Sequence, residues 1–114
     1  MSHNPHYKQI WQTVCAIPAG KVASYGQIAD LAGLPGRARL VGKSLGYIPS
    51  DMSVPWYRVL RSSGQLAFPK GSEQAMKQTG LLQDENVAVL SNRVKLASFQ
   101  WQPTLEEMLW KLQQ

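Results

Sequence analysis

Two short stretches of helical periodicity separated by Gly33-Leu34-Pro35-Gly36 constrain this chain more than any other feature. Ser24 followed by Gln27 has the form of a capping box, which opens a short helix through Gln27, Ile28, Leu31 and Ala32 that stops at Gly33. Leu34-Pro35-Gly36 is a compact turn. A second helix from about Arg37 to Leu45 sets Ala38, Val41, Gly42 and Leu45 on one face and Arg37, Arg39, Lys43 and Ser44 around the other. Two short helices joined by a tight turn, the second one basic, describe a helix-turn-helix. Leu40 falls in the polar arc, where an apolar residue needs a partner.

The flanking elements follow from the same signals. Asn4 as N-cap and Pro5 just inside the start lead into Tyr7, Ile10, Trp11 and Val14, an amphipathic helix ending before Pro18. Cys15 adjoins that stripe and reads as a small core residue. Gly46 to Pro55 is a loop that delivers Trp56. Arg58 to Arg61 and Leu66 to Phe68 flank Ser62-Ser63-Gly64-Gln65 as a small hairpin or wing, broken by Pro69-Lys70-Gly71. Ser72 caps a further helix with Ala75 and Met76, closed by Gly80, and Leu81-Leu82 returns to the core. Val87, Val89, Val94 and Leu96 alternate around Ser91-Asn92 as a second hairpin. A last helix begun by Pro103-Thr104 places Leu105, Met108, Leu109 and Leu112 on one face. The fold class is therefore mostly α with small β hairpins.

At 114 residues the chain fits one domain, 1–114, with a modest core. No apolar run approaches the roughly 20 residues needed to span a bilayer, so the chain reads as soluble. The start, Met1-Ser2-His3-Asn4-Pro5-His6, lacks the layout of a secretory signal, and the single Cys15 cannot form an internal disulfide. Both point to a reducing, cytoplasmic setting, nucleoid-associated in a bacterium. His3 and His6 are too few for a metal site, and no cofactor motif is present. Twelve Lys plus Arg against seven Asp plus Glu give a net charge of +5, which favours a polyanionic partner. The placement of the charge sharpens this: Arg37, Arg39 and Lys43 stand together without an acid, while Asp84-Glu85 and Glu106-Glu107 lie in the second half.

Trp56-Tyr57, inside Val54-Pro55-Trp56-Tyr57-Arg58-Val59, bears on chemistry. An indole offers no nucleophilic lone pair, and a phenol with pKa about 10 is a poor general base at neutral pH. What remains is a stacking surface beside an arginine, suited to holding a base and unsuited to modifying it.

Taken in order, Ser24-Tyr25-Gly26-Gln27-Ile28-Ala29, Gly33-Leu34-Pro35, Ala38-Arg39-Leu40-Val41-Gly42 and Val54-Pro55-Trp56-Tyr57-Arg58-Val59 resemble the C-terminal, DNA-binding half of O6-alkylguanine-DNA alkyltransferases. The likeness continues through Gly64, Leu81-Leu82, Glu85 and Gln100-Trp101-Gln102-Pro103. That family carries Pro-Cys-His-Arg-Val where this chain has Pro55-Trp56-Tyr57-Arg58-Val59. The exchange of Cys for Trp is similar to that in alkyltransferase-like proteins, which recognise alkylated guanine without dealkylating it. Two departures accompany the likeness: Ile48 replaces an asparagine that braces the turn before the active site, and the enzymes' N-terminal domain has no counterpart.

The resemblance implies a winged helix-turn-helix-like DNA-binding domain of the alkyltransferase type, acting as a monomeric, noncatalytic sensor. It would bind O6-alkylguanine in duplex DNA through the minor groove, flip the base into a pocket and mark it for nucleotide excision repair proteins, with inhibition of alkyltransferases as a side effect. Eversion costs a few kcal/mol, and less where pairing is already weakened, as an O6-alkyl group does opposite cytosine. By resemblance Arg39 is the arginine finger that fills the emptied stack, its planar guanidinium both stacking and donating. Tyr25 presses on the lesion's 3′ phosphate beside a helix N-terminus. Tyr25, Trp56, Val59, Lys70 and Ser72 form the lesion pocket, the last two as its lid. Ser24, Tyr25, Gln27, Arg37, Ala38, Leu40, Gly42 and Lys43 face the DNA, with Ala38 and Gly42 admitting the backbone and Leu40 touching sugar edges in the groove. Arg58 and Glu85 tie the segment to the fold, since Tyr57 leaves Glu85 no histidine to polarise.

Two alternatives stay open. A transcription regulator would use the helix-turn-helix to read an undamaged site, and an alkyltransferase would use Cys15 or another residue as acceptor.

Overall fold

The computed structural model describes residues 4–104 and 107. The elements run α1 (Tyr7–Cys15), β1 (Ala23–Ser24), α2 (Tyr25–Leu31), α3 (Ala38–Leu45), a single 3-10 turn (Trp56–Arg58), β2 (Val59–Leu60), α4 (Glu73–Asp84), β3 (Val89–Leu90), β4 (Arg93–Val94) and α5 (Leu96–Phe99). The fold is mostly helical with small sheets. The expected last helix falls on Leu105, Met108, Leu109 and Leu112, outside the described residues.

The α1 stripe is buried as its spacing requires, with Ile10 and Val14 fully enclosed. Asn4 Oδ1 accepts from the His6 amide at 2.9 Å, so it caps the turn ahead of α1. Cys15 departs from expectation and is exposed, because one step beyond Val14 turns the side chain about 100° off the buried face. Its Sγ lies 3.7 Å from the Ser53 carbonyl oxygen.

Ser24 Oγ accepts from the Gln27 amide at 3.1 Å, the expected N-cap of α2. The reciprocal half of the box is replaced: Gln27 Nε2 donates to the Trp101 carbonyl at 2.7 Å, pinning the C-terminal segment to α2. Gly33, at φ +80°, ends the helix in a left-handed conformation. Leu34 N donates to Ala29 O at 2.8 Å and Gly33 N to Asp30 O at 3.1 Å, the paired bonds of a Schellman cap, with Leu34 buried behind it. α3 then packs across α2 and α1.

The burial of α3 is rotated from the sequence reading. Leu40, Val41 and Ser44 are its buried residues, so Leu40 belongs to the core and not to an outward arc. Ser44 can face inward because its hydroxyl donates to Val41 O at 2.7 Å, while its own carbonyl accepts from Trp11 Nε1 at 2.9 Å. The opposite side, with Arg39, Gly42 and Lys43, is left open to solvent.

Two apolar clusters share the interior. The first joins α1, α2 and α3 with Val54, Val59 and Trp101; the second joins Val22, Leu60, Leu66, Ala75, Leu82, Val87 and Val94. Between them β1 and β2 pair in parallel, Ala23 with Val59 and Ser24 with Leu60. This corrects the expected wing: Val59 and Leu60 pair with β1 rather than with Leu66 to Phe68, and across the expected turn Arg61 N donates to Gln65 O at 2.9 Å. The intervening turn closes through Gly64 N to Arg61 O at 2.8 Å, and Val94 N donates to Gly64 O at 2.9 Å. A Cβ on Gly64, whose φ is +88°, would meet Val94 O at 2.3 Å, so the site admits only glycine.

The expected second hairpin is present as β3 and β4, paired antiparallel as Val89 with Val94 and Leu90 with Arg93. Its tip, Ser91-Asn92, has φ of 50° and 64°, as a tight turn of this twist requires. Ser72 caps α4 through Ala75 N at 3.2 Å, as expected, but the helix passes Gly80 and runs to Asp84. A single glycine costs a helix only about 1 kcal/mol, which burial of Leu82 outweighs.

Candidate functional site

Parallel pairing of β1 and β2 sends both strands out on the same side. The residue after each strand, Tyr25 and Arg61, therefore emerges beside the other, and the 3-10 turn that precedes β2 lies next to them. Here a cavity of about 560 Å³ opens, lined by Tyr25, Ala38, Arg39, Gly42, Leu45, Gly46, Trp56, Arg61, Ala67, Phe68 and Gln78. Three parts of the chain build it: the N-terminal end of α2, the open side of α3, and the segment from Trp56 to Phe68 with α4 behind.

Trp56 is half-buried and meets the Phe68 ring edge to face at 6.4 Å and 84°. Its amide donates to Val54 O at 2.8 Å, which holds the turn that aims the indole. Gly42 brings the α3 backbone close to Tyr25, since a Cβ there would sit 3.7 Å from the ring. Burial pushes the Tyr25 phenol up from its ordinary value, against the opposing positive charge of Arg61. At neutral pH it is thus an O–H donor. Arg39 is exposed at the cavity, and Arg37 and Lys43 are exposed on the same helix.

Behind the turn, Glu85 gathers several donors. Arg58 Nε reaches Oε1 at 2.9 Å, the Arg58 terminal nitrogen pairs with Oε2, Tyr57 Oη donates to Oε2 at 2.8 Å, and Gly20 N donates to Oε1 at 3.1 Å. Arg58 also donates to Ile17 O at 2.7 Å and lies over the Tyr57 ring at 5.4 Å. The Arg58 hydrogen bonds hold the Glu85 carboxyl below its usual range. Burial and the bond to Glu85 push the Tyr57 phenol up. Tyr57 is not among the residues lining the cavity, whose aromatic side chains are Tyr25, Trp56 and Phe68. The arginines at the cavity are Arg39 and Arg61, not Arg58.

The structure brings together Tyr25, Ala38, Arg39, Gly42 and Trp56 among the residues singled out in the sequence. Others lie elsewhere. Val59 is fully buried in the first core cluster, behind the lining. Lys70 and Ser72 are not among the lining residues, and the Ser72 hydroxyl is used as the α4 cap. Ser24 is buried as the α2 cap, Gln27 is committed to Trp101, and Leu40 is in the core. The sequence reading missed Leu45, Gly46, Arg61, Ala67, Phe68 and Gln78. Gln78 alone carried a visible signal, a polar residue in register with Ala75 and Leu82 on the buried stripe of α4. Cys15 does not line the cavity, so the one thiol of the chain has no part in it.

A family model described as "6-O-methylguanine DNA methyltransferase, DNA binding domain" matches residues 5–87. A DNA base-flipping protein of Vibrio parahaemolyticus is 40% identical over 96 residues, covering 83% of this chain and 94% of its own. Alkyltransferase-like protein 1 of Schizosaccharomyces pombe is 32% identical over 108 residues, covering 90% of this chain and 100% of its own. The crystal structure of S. pombe Atl1 in complex with damaged DNA containing O6-carboxymethylguanine superposes with a TM-score of 0.79 at 31% identity, over 90% of this chain and 100% of that one.

Proposed function

The chain belongs to the family of the 6-O-methylguanine DNA methyltransferase DNA-binding domain, and from that premise we propose that it is a noncatalytic sensor of O6-alkylguanine in duplex DNA. One observation carries the reading: the cavity beside the basic helix is lined by three aromatic side chains, Tyr25, Trp56 and Phe68, and by no thiol. The exposed face of an aromatic ring stacks a purine, and without a thiol nothing accepts the alkyl group. The names of the Vibrio and fission-yeast relatives agree with it.

In this reading α3 lies in the minor groove with Ala38 and Gly42 toward the DNA, since their small side chains let the backbone approach closely. Arg39 enters the stack in place of the departing base, and Tyr25 donates its O–H to a phosphate of the everted nucleotide. Arg37 and Lys43 neutralise neighbouring phosphates. Trp56 and Phe68 hold the base, which stays chemically unchanged. The protein acts as one domain and a monomer, and the persistent complex is the signal to nucleotide excision repair.

Competition binding with duplexes that differ only in O6-methylguanine against guanine tests the recognition, and a clear preference for the lesion is expected in several sequence contexts. Equal binding of both would remove the sensor reading. Radiolabelled methyl on the same duplex tests the chemistry, and label found covalently on the protein would overturn the noncatalytic part.

A further inference from the structure

The hairpin of β3 and β4 is joined to the segment that ends in Phe68 by a short series of cross-links. Val94 N donates to Gly64 O at 2.9 Å, Gln65 and Arg93 form a bridge, and Leu66 N donates to Asn92 O at 2.9 Å. The main-chain series ends there, because Asn92 stands in the turn, at φ 64°, and the backbone on its other side belongs to β3. A side chain continues it. Asn92 Nδ2 donates to Phe68 O at 2.8 Å, two residues beyond Leu66. The partner is a carbonyl oxygen, which only accepts, so the amide must present its nitrogen. Phe68 in turn lines the cavity and meets Trp56 edge to face at 6.4 Å, whereas Asn92 is not among the lining residues.

We infer that Asn92 is a positioning residue: from outside the cavity it holds the main chain of Phe68, so that the ring stands in the wall before any ligand arrives. The inference rests on the function proposed above. A ring fixed in advance adds no ordering cost to binding, whereas a loose one must be immobilised by the ligand, and affinity falls accordingly. The left-handed backbone at position 92 favours Gly, Asn or Asp. Of these three, only Asn carries the amide donor that Phe68 O accepts. The bond from Leu66 N to Asn92 O belongs to the main chain, so the hairpin keeps its register when the side-chain amide is removed.

Two variants test this. Asn92→Gly suits the turn and removes the amide, while Asn92→Asp keeps the size and replaces the donor by an oxygen. Each is compared with wild type on duplexes that differ only in O6-methylguanine against guanine. The Phe68 ring proton shifts, which feel the ring current of Trp56, are read by NMR in the free protein. In both variants the preference for the lesion is expected to fall about fivefold. The Phe68 shifts should move toward those of an unstructured phenylalanine, with the unfolding midpoint close to that of wild type. An unchanged preference overturns the proposal, and so do unchanged ring shifts. A purely architectural role would lower the unfolding midpoint and leave both of those readouts alone. If one variant does not fold, the other carries the test. Failure of the parent reading is distinct, because the wild type would then bind O6-methylguanine no better than guanine, and the ring shifts alone would decide whether Asn92 holds Phe68.

Discussion

The Tyr57 hydroxyl donates at 2.8 Å to the same Glu85 carboxylate that Arg58 grips, so the ring following Trp56 is fastened to the end of α4. Glu85 sits below its ordinary pKa mainly because of the Arg58 hydrogen bonds. A carboxyl that is more acidic in the folded state adds stability above its unfolded value, about 4.3, and loses it as pH falls through the lowered folded value. Glu85→Gln is expected to lower unfolding free energy by about 2 kcal/mol at neutral pH. The gap from wild type should shrink in acid below pH about 4, measured by urea unfolding across that range.

Gly64→Ala tests the turn that follows β2 and packs against β4. The added methyl would lie 2.3 Å from Val94 O on a backbone at φ +88°, so it must displace main chain. A loss of about 2–4 kcal/mol is expected in thermal unfolding. Gly71→Ala, whose added methyl meets nothing within 4 Å but whose φ is +84°, should cost less and isolates the strain component.

Arg39→Ala should reduce affinity for an O6-methylguanine duplex at least tenfold while leaving the unfolding midpoint unchanged, because the side chain is exposed. Unaltered lesion binding would take the finger role away from Arg39.

Lys43→Ala should act differently, weakening binding to damaged and undamaged duplex alike. The salt dependence of log K should fall by about 0.9 in slope, the share of one phosphate. A salt titration of both proteins reads this directly.

Trp56→Ala removes one of the three aromatic rings at the cavity. Base stacking on an aromatic side chain is worth about 1–3 kcal/mol, so lesion affinity should drop roughly tenfold to a hundredfold. Affinity for undamaged duplex should change little, which separates loss of the pocket from loss of the surface.

The helix-turn-helix was legible because its signals are local. Ser24 and Gly33 cap and stop α2 through their own backbone neighbours, and Ser91-Asn92 sets the second hairpin in the same way. The orientation of α3 was not legible. Ser44 counted as polar although its hydroxyl is satisfied by Val41 O within the helix, and Gly42 counted as apolar although it lies on the open side. That pair of assignments put Leu40 in the wrong arc. The β1 and β2 pairing was also hidden, since two-residue strands show no alternation and their partners are far apart in the chain. The cavity suffered for the same reason. Tyr25, Arg39 and Trp56 belong to recognisable motifs, whereas Arg61, Phe68 and Gln78 reach it only through tertiary pairing.

The gap between Tyr25 and Arg61 is set by the two-residue parallel ladder that precedes them, hence by main-chain geometry shared by every sequence. Under the proposed function, exchanges at Ala67, Leu45 and Phe68 would change the room for an adduct while the frame keeps its dimensions. Evolution can retune what the molecule tolerates without rebuilding the jaw that holds it.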